Sequence, residues 1–276
     1  MAQKKRSAMS VSHKGVAVIT GASAGIGAVY ADRLARRGYD LILVARNQAR
    51  LDQLAARIAG ATGRKVKTVA ADLNNKGDLK RIETIVATDP GVTLLVNNAG
   101  VGGLEPLLQS DVDAMEEMVN LNVTALMRLT YAAAPALVAR GSGAIINIAS
   151  VVAIAPEVLN GVYGGTKAFV LALGQSLHRE LADKNVRIQT VLPGATATNF
   201  WDAAGGAVEN LPSNIVMRSD DLVDAALAGC DQGEVVTIPS LPDAADWASY
   251  EAARQKLMPN LSLSSVPARY RTAAAA

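Results

Sequence analysis

Cysteine, histidine and aromatic residues are all scarce in this chain, and each scarcity removes a class of function. A single cysteine, Cys230, allows no disulfide within the chain. Two histidines, His13 and His178, cannot assemble a Cys/His metal site with it. Excess charge of either sign is missing too. The 27 Lys and Arg stand against 25 Asp and Glu, a net charge of +2, so neither nucleic acid nor an anionic membrane is expected as a partner. No run of 18 uninterrupted apolar residues occurs, and no transmembrane helix is expected. The basic cluster Lys4, Lys5, Arg6 is not followed by an apolar stretch of signal-peptide length. Residues 1–13 therefore read as a flexible solvated tail, and the cytoplasm as the default compartment.

What is present is apolar and regularly spaced. Half of the 276 residues are hydrophobic and 19% are charged, enough for one large α/β domain. Short Val/Ile/Leu-rich runs occur at Gly15–Thr20, Asp40–Ala45, Lys65–Ala70, Val92–Asn97, Gly143–Ser150, Val186–Leu192 and Glu234–Ile238. Little polar alternation marks them as strands buried on both faces. Between them lie helical patterns at Ile26–Arg37, Arg50–Ala59, Asp78–Ala87, Asp111–Val138 and Thr166–Asp183. Such alternation implies right-handed crossovers and a doubly wound parallel sheet with helices on both faces.

Thr20-Gly21-Ala22-Ser23-Ala24-Gly25-Ile26-Gly27 separates the first strand from the first helix. Glycines there permit a tight turn and close approach of backbone to a pyrophosphate, which then sits at the free N–H groups of the helix start. The same residues match Gly-x-Ser-x-Gly, the nucleophile elbow of serine hydrolases. That rival needs a late histidine on a loop, and the only downstream one, His178, falls within a helical pattern.

Further segments recur in order: Asn97-Asn98-Ala99-Gly100, Asn122 in Leu121-Asn122-Val123, Ser150, Tyr163-Gly164-Gly165-Thr166-Lys167, and Pro193-Gly194. With the glycine turn, they make residues 15–198 resemble the short-chain dehydrogenase/reductase family. That resemblance implies a Rossmann-type sheet of about seven strands in the order 3-2-1-4-5-6-7, within one domain over residues 14–276. It also implies a catalytic group of Asn122, Ser150, Tyr163 and Lys167. The chemistry is consistent: hydride transfer at a carbon needs a proton at its oxygen, and the donor works best with a pKa near the working pH. Lys167, four residues after Tyr163, shares its helix face, and an ammonium there is expected to lower the phenol pKa. Ser150 is expected to hydrogen-bond the substrate oxygen, and Asn122 to join Lys167 in a water-mediated relay.

The nicotinamide follows from one strand end. Val44-Ala45-Arg46-Asn47 holds no carboxylate to select NAD, whereas Arg46 can pair with a 2′-phosphate and Ser23 can assist. NADP(H) is therefore expected, with NAD(H) possible. The resemblance adds cofactor positions at Gly21, Gly25, Ile26 and Gly27, at Asp72 and Leu73 beside adenine, and at Asn98, Ala99 and Gly100 beside the ribose. It also adds Tyr163, Lys167, Pro193, Gly194, Ala195, Thr196 and Thr198 around the nicotinamide. Residues 199–217 are expected to form a substrate lid anchored by Phe200 and Trp201, with a hinge at Gly205-Gly206. Ala153, Ile154, Pro156 and Val158 suggest an apolar carbonyl or alcohol substrate. A homodimer or homotetramer through the helices 111–138 and 166–183 is expected. The alternatives are a nicotinamide-binding regulator without turnover, which the presence of Tyr163 and Lys167 disfavours, and an epimerase or dehydratase of the same fold.

Overall fold

Strands that are apolar at every position can bury both faces only between two helix layers, and that demand organises the chain. A computed structural model describes residues 12–271; residues 1–11 of the expected tail lie outside the described residues. The strands are β1 (Val16–Thr20), β2 (Asp40–Ala45), β3 (Val66–Ala70), β4 (Val92–Asn97), β5 (Gly143–Ile148), β6 (Val186–Val191), β7 (Thr196–Ala197), β8 (Met217–Arg218) and β9 (Val236–Thr237). Seven form one parallel sheet in the order β3-β2-β1-β4-β5-β6-β9, the expected order with β9 in seventh place. β9 is shorter than expected because only Val236 and Thr237 pair with β6.

The helices are α1 (Gly25–Arg36), α2 (Gln48–Thr62), α3 (Lys76–Thr88), α4 (Val112–Val119), α5 (Leu126–Arg140), α6 (Gly161–Glu180), α7 (Phe200–Ala203), α8 (Ser219–Gln232) and α9 (Ala244–Lys256). Successive strand residues point to opposite faces. Ile19, Leu43, Val96 and Ile146 pack with α1, α2 and α8 on one side. Their neighbours Val18, Val44, Leu95 and Ile145 pack with α3, α5 and α6 on the other.

Two helices depart from expectation. The pattern at 111–138 is a run of helical turns from Val112 to Arg140, but Asn120–Ala125 forms a π turn within it. Its 29 residues are long and apolar enough by composition to cross a membrane. Leu126, Leu129, Ala133 and Leu137 are instead packed in the core, which accounts for the apolar face. The helix expected from Thr166 begins five residues earlier, at Gly161, because Asn160 caps it by accepting hydrogen bonds from Val162 N and Tyr163 N.

The chain divides into two compact units after Ser240. The second holds α9 and two single turns, Met258–Asn260 and Ala268–Tyr270, and none of its described residues is buried. At the other end His13 bonds Asp40 at 3.1 Å, and Asp40 also accepts from Lys65 N at 3.0 Å. Asp40 is thus occupied at the start of β2, at the far end of the strand from Arg46.

Candidate active site

The site is built at the C-terminal ends of β1, β2, β4 and β5. Gly21 has φ +65°, a left-handed conformation, and a side chain there would collide with Asn98 and Ala99. A side chain at Gly27 would strike the Gly21 carbonyl, so α1 and the turn pack closely. Thr20 and Asn98 hold this turn. Thr20 Oγ1 accepts from Asn98 N and Ala99 N, both at 3.0 Å, and the Asn98 amide donates to Thr20 O at 2.9 Å and Gly21 O at 3.2 Å.

The start of α1 is built differently from its neighbours. Side chains cap α2 (Asn47), α3 (Asn75), α4 (Asp111), α6 (Asn160) and α9 (Asp243); α8 has no such cap but carries Asp220 and Asp221 in its first turn, whereas α1, after Ala24, has neither a cap nor an acidic residue there. Its N–H groups and dipole are therefore left without side-chain compensation next to the glycine turn, an arrangement suited to a phosphate.

A cleft of about 720 Å³ opens beside this turn. Of the residues expected at the cofactor, Gly21, Ser23, Arg46, Asp72, Leu73, Ala99 and Gly100 line it. Gly25, Ile26, Gly27, Asn98, Tyr163, Lys167, Pro193, Gly194, Ala195, Thr196 and Thr198 are not part of its lining; the Asn98 side chain braces the glycine turn. Asn47, Arg50 and Asn74 also line the cleft and were missed. Their signal was available: Asn47 is a helix cap, and Arg50 lies three residues on, in the first turn of α2. Arg46 and Arg50 are exposed and make no ion pair among the described residues.

Deeper in, the structure brings together the four residues implied as catalytic. Asn122, Ser150, Tyr163 and Lys167 are all buried, at 1%, 8%, 5% and 6% exposure. Ser150 Oγ donates to Pro193 O at 3.3 Å and accepts from Val152 N at 3.3 Å, and Ser150 stands near enough to the Tyr163 hydroxyl to affect its ionisation. Lys167 Nζ donates to Ile148 O at 3.0 Å and lies 5.7 Å from the Tyr163 ring centre. Asn122 is bonded both ways to Val101, accepting from its N–H at 2.9 Å and donating to its carbonyl at 2.8 Å, and it donates to Thr166 Oγ1 at 3.1 Å. The π turn places Asn122 at this loop. A methyl group on Gly100 would lie 3.0 Å from Asn122 Oδ1 and 3.4 Å from Lys167 Nζ, so both polar groups converge on one glycine.

One expectation is corrected here. Burial pushes the Tyr163 phenol up to about 12, with the Ser150 hydroxyl pulling the other way. Lys167 is pushed down to about 8, also by burial. Loss of water disfavours phenolate and ammonium alike, and here it outweighs any attraction between the two.

The segment after β6 joins these parts to the lid. Thr196 Oγ1 donates to Gly194 O, and Ala195 O accepts from Met217 N at 2.9 Å. Thr198 lies beside Gly25, 3.0 Å from where a Cβ would stand. Pairing of β7 with β8 closes the chain between them into a loop. Within it Trp201 is buried and donates from Nε1 to Thr196 O at 2.9 Å. Phe200 packs against Gly102 and lies 5.7 Å from the Tyr163 ring, between centroids. Gly205 has φ +90°, and Gly206 packs on Leu104. Val158 is 63% exposed, whereas Ala153 and Ile154 are half-buried.

A cleft at the C-terminal ends of parallel strands, between the crossovers that run in opposite directions from β1 and β4, is where doubly wound folds bind dinucleotides. Fold and site together define a protein of that class. The short chain dehydrogenase family model matches residues 15–207, and the chain belongs to that family of oxidoreductases. The short-chain dehydrogenase from Sphingobium yanoikuyae, solved in complex with NADPH, is 47% identical, with a TM-score of 0.90 over 93% of this chain and 100% of that one. The bulky-bulky ketone specific alcohol dehydrogenase from Comamonas testosteroni is 42% identical, with a TM-score of 0.86 over 94% of this chain and 99% of that one. Human 17-beta-hydroxysteroid dehydrogenase type 3 is 32% identical over 258 residues, 88% of this chain and 79% of the relative.

Proposed function

We propose that this enzyme interconverts a bulky apolar ketone and its secondary alcohol with NADP(H), using Tyr163 as the proton donor and acceptor. The observation that carries the reading is that Tyr163, Ser150 and Lys167 are buried together, with Lys167 Nζ 5.7 Å from the centre of the Tyr163 ring. The residues present suit the cofactor. The uncapped start of α1 takes the pyrophosphate, the unpaired Arg46 and Arg50 take a 2′-phosphate, and the 720 Å³ cleft has room for the adenosine half. The NADPH bound by the Sphingobium yanoikuyae neighbour supports that choice.

When bound, the nicotinamide supplies or accepts the hydride. Ser150 and Tyr163 hold the substrate oxygen between their hydroxyls. In reduction the phenol, kept protonated by burial, gives its proton to that oxygen; in oxidation it takes the proton back. Lys167 keeps a positive charge beside the phenol below its pKa of about 8 and so stabilises the phenolate left by transfer. Asn122 fixes the loop at Val101 and points its carbonyl oxygen toward the lysine side. Phe200, Val101, Met115 and Leu159 pack with Tyr163 and give the pocket an apolar wall. The bulky-bulky ketone specificity of the Comamonas testosteroni enzyme supports the substrate class.

We also propose a homo-oligomer through α4–α5 and α6. Val112, Val119 and Tyr131 are exposed on that run, although Ala133 and Gly174, expected at the interface, are buried within the chain.

The test is a titration with NADPH and NADH, followed by turnover on a series of ketones of rising bulk. Tighter NADPH binding and turnover of the bulky members are expected. Tighter NADH binding overturns the cofactor assignment, and turnover confined to small polar carbonyls overturns the substrate class.

A further inference from the structure

Two surfaces, one in each of the chain's two compact units, carry large apolar side chains that are exposed among the described residues, and their local charges are opposite in sign. The first surrounds the mouth of the active site. Leu107, Leu108 and Val158 are 83%, 96% and 63% exposed there. Their loops are tied to the site: Asn160, three residues before Tyr163, donates to Glu105 O at 2.6 Å and Ser110 Oγ at 3.1 Å. Every charged residue within 104–118 and 151–160 is acidic: Glu105, Asp111, Asp113, Glu116, Glu117 and Glu157. All six are exposed.

The second surface is the C-terminal arm. Leu257, Met258, Leu261, Leu263, Val266 and Tyr270 are each 57% to 68% exposed. The acids of this unit, Asp243, Asp246 and Glu251, all precede residue 252; residues 252–271, which carry the apolar run, hold Arg254, Lys256, Arg269 and Arg271, of which only Arg254 forms an ion pair, with Glu251. An isolated helix of the length of α9 is marginal in water, and a run of exposed apolar residues this dense marks an interaction surface. Part of the arm is matched in relatives of solved structure. Residues 1–240 are about 87% of the chain, so matches covering 93% and 94% extend past Ser240.

We propose that the basic apolar arm of one copy seats on the acidic apolar mouth of the active site in a second copy and completes its substrate pocket. The opposite charges select this pairing. Two-fold exchange suits it as well, because each copy then gives one arm and receives one, covering both surfaces at once. The inference rests on the mouth being the substrate entrance, as proposed above.

The test mixes unlabelled and ¹⁵N-labelled chains in equal amounts, joins amines to carboxylates with a zero-length carbodiimide, and reads the links by mass spectrometry. Links from Lys256 to the 104–118 or 151–160 acids are expected, about half of them between differently labelled copies. Leu261→Asp with Leu263→Asp abolishes these links and raises KM for a bulky apolar ketone about tenfold. NADPH affinity is unchanged in that variant, which also shows that it is folded. Arg269→Glu with Arg271→Glu weakens the links, and Glu105→Lys with Glu157→Lys in the other copy restores them. Links only within one label, no arm–mouth links at all, or links that survive the double Asp variant overturn the proposal. Failure of the wild type to bind NADPH tells against the proposed function instead, since the cross-links are read without turnover.

Discussion

At the adenosine end of the cleft, Arg46 and Arg50 stand in solvent with no ion pair among the described residues. At the catalytic end, Asn122, Ser150, Tyr163 and Lys167 are nearly water-free, and each is bonded to backbone or stands against another. On the proposed function the first end recognises by charge, so its side chains can be exchanged with little effect on folding. The second positions by burial, so the same contacts serve the fold and the reaction. Substitutions at the first end then change affinity, and those at the second change rate and stability together.

The sharpest way to break that contrast is Tyr163→Phe. Turnover is expected to fall by about 10²- to 10⁴-fold, the range for losing a positioned acid–base group. Stability falls by only about 0.5–1.5 kcal/mol for one lost hydrogen bond, and NADPH affinity stays near wild type. Steady-state kinetics beside calorimetry decide it, and near-normal turnover in a folded variant sinks the role given to Tyr163.

At the open end, Arg46→Ala is expected to weaken NADPH by about 10- to 150-fold, from one charge-assisted contact of roughly 1.5–3 kcal/mol. NADH binding and the melting temperature barely move. Arg50, standing free on the same rim, sets how much remains, and Arg46→Ala with Arg50→Ala removes the rest. Equal losses for NADPH and NADH in a fluorescence titration mean that neither arginine meets a 2′-phosphate.

The smallest expected effect is on stability, at Lys167. Its folded pKa of about 8 lies below the ordinary 10.5. Between those values the unfolded chain binds the extra proton, so stability rises with pH across that window. Tyr163 acts oppositely above pH 10, where the unfolded chain ionises first. Lys167→Met abolishes turnover and gains about 1 kcal/mol at pH 7, because relief of the buried charge exceeds the lost bond to Ile148 O. It also flattens the rise between pH 8 and 10.5. Thermal melts across that range test it; a variant less stable than wild type at pH 7 contradicts the burial argument.

Legibility followed locality. The glycine turn and the strand runs are local patterns, and each appears within a few residues of its expected place. The start of α6 was misplaced because Gly164-Gly165 hides helical propensity, whereas the Asn160 cap that sets it was in plain view. The π turn at Asn120–Ala125 had no local sign, since its partner is the backbone of Val101, 21 residues away in sequence. The bonds by which Asn98 braces Thr20 and Gly21 had no local sign either, since their partners lie 78 and 77 residues away.

The amino-acid order alone determined the alternation of buried strands and helices, hence the parallel sheet, and the spacing that puts Tyr163 and Lys167 on one face. These depend on side-chain periodicity, a property of neighbours. Only the tertiary structure decided which ionisation states burial favours, that Phe200 of the lid lies against Tyr163, and that Arg50 joins Arg46 at the cleft. Each depends on what surrounds a group in space, and desolvation and contact are set by residues that the chain holds far apart.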